Sequence, residues 1–259
     1  MTTRENIADI LCIGCQKGST SWLHSVLNSH SRTWAFPNSE PITSTSKEVH
    51  FWDWNRHRGV DWYRALMTPD EPGKMTLDFT PEYATLDDEQ IAECKALNPT
   101  ARVIYILRDP LARAVSAMRM HMLWTYGKDH QGTLELGDDC YRFVRDAKLE
   151  MHGDYLRHVT AWRRQYPDLI LLNYEDFHTD RAGSVARILS ELGLSEDGFD
   201  DWGRERMSRL MTGRVWASEK FPFDRAVLMF LQGLTWRWRR ETEEHLGMTF
   251  AEGERMLQG

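Results

Sequence analysis

The run Arg102-Val103-Ile104-Tyr105-Ile106-Leu107 constrains the fold of this chain more than any other stretch. It has no polar alternation, so it describes a strand covered on both faces, and such strands belong to parallel sheets with helices above and below. Asp109 and Pro110 follow, the residue types of a helix N-cap and first helical position. Upstream, Asp9 to Cys15 reads as a strand that runs through Gln16-Lys17-Gly18-Ser19-Thr20-Ser21 into the helical pattern Trp22-Leu23 and Val26-Leu27. A further strand is predicted at Lys74 to Phe79, ended by Thr80-Pro81, with a helix from about Asp87 to Leu97. Then come a helix over His152 to Tyr166, a short strand over Asp168 to Leu172 and a helix from about Ala182 to Leu192. Strands alternating with helices imply right-handed crossovers, and ligands of such sheets bind beyond the carboxyl ends of the strands. The expected fold is α/β, a three-layer sandwich with a central parallel sheet and helices on both faces. From Gly198 to Gly259 the chain is rich in Arg and Trp without a clear period. No repeat or linker divides it, so residues 1–259 are expected to form one domain.

The 259 residues, 41% hydrophobic and 27% charged, suit one sizeable domain. Four cysteines are too few for a secreted disulfide framework, and Cys12-x-x-Cys15 lies inside an apolar run, where the two thiols act as small buried hydrophobes. The N-terminal residues are polar and no apolar stretch is long enough to span a bilayer, which points to a cytoplasmic protein with no membrane span. A net charge of −7 argues against general nucleic-acid binding, so any anionic ligand needs a local basic site.

Two segments supply one. In the loop after the first strand, Gly18 allows a tight turn, Ser19, Thr20 and Ser21 add hydroxyls, and the next helix presents its N-terminal amides. This is a phosphate-type cradle, although the loop alone also fits a Gly/Ser turn with an exposed lysine. It is not a Walker loop, because Lys17 precedes Gly18 and Arg108 stands where a magnesium-holding aspartate would be expected. At the end of the clearest strand, Arg108-Asp109-Pro110-Leu111-Ala112-Arg113-Ala114-Val115-Ser116 offers a guanidinium, with Arg113 and Ser116 on one helix face. An arginine and a serine there can hold a second phosphate, though a helix start with a surface arginine has the same residues. Anion sites on neighbouring strand ends call for a ligand with two separated anionic groups.

Together these segments resemble the family of sulfotransferases that use 3'-phosphoadenosine-5'-phosphosulfate (PAPS). The likeness is nearest to the glycan O-sulfotransferases of the heparan sulfate type. Gln16 to Ser21 looks like the family's 5'-phosphosulfate loop and Arg108 to Ser116 like its R-D-P-x-x-R-x-x-S motif for the 3'-phosphate. Lys47-Glu48-Val49-His50-Phe51-Trp52-Asp53, Trp62-Tyr63, Asp78-Phe79-Thr80-Pro81-Glu82-Tyr83, Gly153-Asp154-Tyr155 through Trp162, and Tyr174-Glu175-Asp176 extend it across roughly residues 9–175.

The resemblance implies a P-loop-like fold and sulfuryl transfer from PAPS to a hydroxyl-bearing acceptor (a sugar, lipid or small molecule), without a metal. Lys17 would contact the bridging oxygen, Gly18, Ser19, Thr20 and Ser21 the 5'-phosphate, and Arg108 and Ser116 the 3'-phosphate. Glu48 would be the general base, made more basic by burial among Phe51, Trp52 and Trp54. By itself Glu48 also fits an exposed partner of Lys47 or Arg56. His50, two residues on and on the same side if the segment is extended, is the rival base or an orienting group. Asp78 and Glu82 are candidates for touching the acceptor, with a hydrogen-bonded strand end as the other reading. Trp52, Trp54 and Trp62 are candidates for its floor. Ser19 departs from the glycine found in many members. The family's late nucleotide loop has no evident match, with Thr212-Gly213-Arg214 and Ser218-Glu219-Lys220 as possible stand-ins. Arg237-Trp238-Arg239-Arg240 keeps a polyanionic acceptor open. Two alternatives use the same residues: a nucleotide-binding regulatory or interaction protein without turnover, and a phosphoryl-transfer enzyme, which would need magnesium ligands.

Overall fold

A computed structural model describes residues 4–37, 47–213 and 221–258. Five parallel strands form the sheet. In chain order the elements are β1 (Ile10–Gly14), α1 (Thr20–Leu27), β2 (Thr33–Trp34), α2 (Val60–Leu66), β3 (Met75–Asp78), α3 (Asp88–Leu97), β4 (Arg102–Leu107) and α4 (Pro110–Tyr126). They continue with α5 (Asp138–Asp146), α6 (Leu149–Gly153), α7 (Tyr155–Gln165), β5 (Ile170–Asn173), α8 (Asp176–Thr179), α9 (Arg181–Glu191), α10 (Asp201–Thr212), α11 (Arg225–Leu246) and α12 (Glu252–Gln258). The strand order is β2-β3-β1-β4-β5, with Ile10 opposite both Leu77 and Arg102, and Ile104 opposite Ile170.

Alternation along the strands fills two separate cores. Leu11 and Ile13 of β1 and Val103, Tyr105 and Leu107 of β4 face one side, against Phe51, Trp52, Tyr63, Tyr83, Tyr155 and Trp162. Ile10 and Cys12, with Ile104 and Ile106, face the other, against Leu23, Val26, Ile188 and Leu189. This is the sandwich expected of strands with no polar face. Cys12 and Cys15 are buried free thiols in it, and burial pushes Cys12 up to about 12.

Local signals hold where they were strong. Asp109 accepts from the amides of Leu111 and Ala112 with Pro110 at the first turn, and Asp87 closes a capping box with Gln90 on α3. The helix expected over His152 to Tyr166 is instead broken at Asp154, whose carboxylate caps α7 by accepting from the Arg157 amide. The two-residue strand β2 at the sheet edge had no sequence signal.

The stretch after Gly198 resolves into α10, α11 and α12. Helix α11 buries Val227, Leu231, Thr235, Trp238 and Thr242, a helical stripe whose two threonines dilute its apolar period. It packs on α4 and α5 through Val115, Met118, Met122 and Phe143. The Arg237-Trp238-Arg239-Arg240 stretch lies on α11, where Arg237, Arg239 and Arg240 pair with Glu241, Glu243 and Glu244 one turn on, at 3.0, 3.0 and 2.7 Å. Its charge is therefore largely paired within the helix. No helix among the described residues is long and apolar enough to cross a membrane.

Candidate active site

The carboxyl ends of β1, β3 and β4 meet at one edge of the sheet, and the chemically armed residues gather there. The loop after β1 turns sharply, with Lys17 at φ 69° and Ser19 at φ 67°, both in the left-handed region that costs an L-residue about 1–2 kcal/mol. Gly18 between them fits because it has no side chain: a Cβ there would lie 2.8 Å from Cys15 Sγ and 2.9 Å from the Cys15 carbonyl. Ser19, the N-cap of α1, makes no side-chain bond to the helix's first-turn amides. The residues present therefore fit an anion at this helix start. Burial, followed by the nearby Arg108 and Lys47 charges, pulls the Lys17 ammonium below the usual lysine range.

Arg108 stands just past β4, its guanidinium stacked over the Tyr174 ring at 4.3 Å. Nη1 donates to the Lys17 carbonyl at 2.9 Å, which ties the two predicted anion segments together. Nε donates to Glu252 of α12 at 2.8 Å, and Nη2 bonds the second oxygen of the same carboxylate. Ser116 is buried in the second turn of α4. Arg113, paired with Ser116 in the sequence reading, is fully buried and donates to the Leu149 carbonyl at 3.2 Å. It lies in the interior, with Nε and Nη1 buried and without a hydrogen-bond partner among the described residues.

The third group comes from residues 47–53. The Lys47 ammonium is bonded to Glu48 and lies 3.4 Å from Thr20 Oγ1, so it bridges the base candidate to the loop. His50 Nε2 lies 3.3 Å from Glu48 Oε2, and Nδ1 lies 2.7 Å from Asp53 Oδ2. The segment is not extended, because His50 itself sits at φ 52°; the turn, not strand periodicity, brings the two side chains together. Burial would lower the His50 pKa, but Asp53 and Glu48 outweigh it and lift it to about 9. Burial raises the Glu48 pKa, yet His50 and Lys47 win and hold it below the ordinary glutamate value. The expectation of a basic Glu48 among aromatics is thereby corrected, since its neighbours are cations.

The aromatic floor does not form as expected either. Trp52 is packed in the core against Tyr63 and Tyr83, and Trp62 lies against the same cluster under Arg58. Trp54 alone of the three is open, 58% exposed and stacked on His50 at 3.6 Å. Arg56 pairs with Glu93, not Glu48. Asp78 is fully buried, accepting from Tyr63 at 2.9 Å, Tyr83 at 3.1 Å and Thr80 at 2.7 Å. It is the hydrogen-bonded strand end, with burial raising its pKa to about 6 despite those donors.

Glu82 does join the site: one donor atom each from Glu48, His50 and Glu82 lie within 4.8 Å of one another. Lys47 already holds Glu48 and Asp53 holds His50, so the trio is a charge network more than an open metal cage. Thr212 and Gly213 close α10, while Arg214 and Ser218-Glu219-Lys220 lie outside the described residues.

Sequence reasoning named Lys47 only as a partner of Glu48, which it is, and gave no role to Asp53 or Glu252. Asp53 stands at i+3 from His50, a spacing that could have flagged it. Nothing local marks Glu252, which is 144 residues from its partner.

An anion loop at the end of β1, an arginine at the end of β4 and a Lys-Glu-His network beside the end of β3 arm one edge of a P-loop-like sheet for an anionic ligand. The family model for the sulfotransferase domain matches residues 8–212, and the chain belongs to that family. Among curated relatives it is 30% identical over 199 residues to heparan sulfate glucosamine 3-O-sulfotransferase 6 of Homo sapiens, covering 74% of this chain and 54% of that one. It is 27% identical over 205 residues to heparan sulfate glucosamine 3-O-sulfotransferase 3B1 of Mus musculus, covering 73% and 47%. The chain thus spans about half the length of the curated relatives it matches. In fold it is similar to a sulfotransferase from Alicyclobacillus acidocaldarius, with TM-score 0.70, 16% identity and coverage of 98% and 100% of the two chains.

Proposed function

We propose that this chain transfers a sulfuryl group from PAPS to an acceptor hydroxyl, with Glu48 as general base and Lys17 at the leaving phosphate. The observation that carries the reading is the convergence of Lys17, Arg108 and the Lys47-Glu48-His50 network at one sheet edge. PAPS supplies an activated sulfuryl group; Lys17, the amides after Gly18, Arg108 and Ser116 would hold its two phosphate ends. Glu48 accepts the acceptor's proton while the hydroxyl oxygen bonds to sulfur and the bond from sulfur to the phosphate oxygen breaks. Charge then builds on that oxygen, where a lysine and oriented amides are most effective in a partly dry site.

The pKa pattern supports Glu48 over His50 as the base. A histidine lifted to about 9 is protonated at neutral pH, whereas a glutamate held low is ionised and able to accept. His50 orients Glu48, and Asp53 fixes His50. The named relatives act on heparan sulfate, so glycan hydroxyls belong among the acceptors to be tested.

Two measurements test the reading. The desulfated product, 3'-phosphoadenosine-5'-phosphate (PAP), should stabilise the protein by about 2.7 kcal/mol at roughly a hundred times its dissociation constant. An acceptor library incubated with PAPS and read by mass spectrometry should yield products heavier by one sulfuryl group. No thermal shift with millimolar PAP would sink the assignment. Loss of turnover in EDTA with recovery in magnesium would reopen phosphoryl transfer.

A further inference from the structure

Arg108 is already chelated. Of its five N–H donors, Nε and Nη2 face the two oxygens of Glu252, Nη1 serves the Lys17 carbonyl, and Tyr174 covers one face of the plane. The side chains of the pair are only 12% and 23% exposed. An anion can take the Nε–Nη2 fork of this guanidinium only by removing the carboxylate from it.

We propose that Glu252 occupies the 3'-phosphate's seat on Arg108, so that cofactor and the C-terminal helix α12 compete for one guanidinium. The proposal rests on the PAPS reading above. The mimic is built in, because the start of α12 is pinned to the strand ends that carry the site. Glu175 Oε1, just past β5, accepts from the amides of Ala251 at 2.6 Å and Glu252 at 2.9 Å. Asp109 Oδ2, beside Arg108, accepts from the Gly253 amide at 3.1 Å. Gly253 permits that approach, since a Cβ would lie 2.5 Å from Asp109 Oδ1. Arg239 of α11 holds the Phe250 carbonyl and Glu254, each at 2.7 Å.

A phosphate near two negative charges outbids a single carboxylate for the same donors. Binding of the nucleotide therefore includes the cost of freeing Glu252. Its return to Arg108 would help to expel the product.

The test is calorimetric titration of the full chain and its Glu252→Gln variant with PAP and with adenosine 5'-phosphate, which lacks the 3'-phosphate. Competition predicts that Glu252→Gln binds PAP about tenfold more tightly and adenosine 5'-phosphate unchanged. In the unaltered protein, PAP but not adenosine 5'-phosphate should speed hydrogen exchange at the amides of residues 251–253, a readout that survives if the variant folds poorly. If the variant binds PAP equally or more weakly, or those amides stay protected, Glu252 merely orients Arg108 and the competition is refuted. If neither folded protein binds PAP at millimolar concentration, the cofactor reading itself falls and this proposal with it.

Discussion

At the scale of single residues, the site works by setting cations against one carboxylate. Glu48 has Lys47 on one oxygen and His50 on the other, which holds its pKa below the ordinary glutamate value, and His50 is lifted to about 9. The pH–rate profile should accordingly be flat through neutrality and change on the alkaline side as His50 loses its proton, and that limb should vanish in His50→Gln. A limb centred near 6.5 would mean that Asp53 does not hold the imidazole. Glu48→Gln should lower kcat by about 10²-fold or more while leaving PAP affinity within about twofold. Lys17→Ala should lower kcat more than it raises KM, because the charge it meets develops in the transition state. Steady-state kinetics beside calorimetry separates these; equal losses of PAP binding in both variants would put Glu48 at the nucleotide. The roles proposed for Glu48 and Lys17 rest on the resemblance of their segments to those of the family. The charge state of Glu48 was not legible in the sequence, since it depends on which side chains a turn at His50 folds onto it.

At the scale of elements, the loop between β1 and α1 stores its strain where the anion is expected. Lys17 and Ser19 are left-handed, and Gly18 lies against Cys15. Gly18→Ala should therefore weaken PAP binding about tenfold and lower the melting temperature by a few degrees, since the new methyl must push backbone as well as sulfur. Unchanged titration by PAP would show that the cradle is not the anion site. Capping chemistry is the other local lesson. Asp87, Asp109, Asp154, Asp180, Asp200 and Asp224 all accept first-turn amides, and a cap is readable because its physics spans only three residues. Helix α11 was hidden because Thr235 and Thr242 stand on its buried face, and because its arginines look like a basic patch until their glutamates are seen one turn on.

At the scale of the whole molecule, the buried titratable groups set the pH range of the fold. Burial, with nearby cations, holds His24 and His152 near 3 and His158 near 4. These groups are neutral in the fold but take up protons in the unfolded chain below about 6.5, so their stabilisation is lost as pH falls. His50, held at about 9, acts oppositely: its contribution is complete below about 6.5 and is lost as pH rises through 9. Asp78 near 6, with Glu82 and Asp109 also raised by burial, opposes the acid limb, while the lowered Glu48 and His121 reinforce it. The melting temperature should peak near pH 6.5, and His50→Gln should flatten the alkaline side. A monotonic rise from pH 5 to 9 in a calorimetric series would contradict this balance. The sequence by itself determined the parallel α/β sheet, because strand hydrophobicity, caps and glycine turns act over a few neighbouring residues, and the order of its motifs pointed to the family. Tertiary structure alone decided that Asp78 is a buried anchor, that Arg113 and Trp52 are interior, and that Arg108 meets Glu252. Those outcomes depend on which distant segments share a buried volume, and charge at low solvent exposure responds to its neighbours in space rather than to its neighbours in the chain.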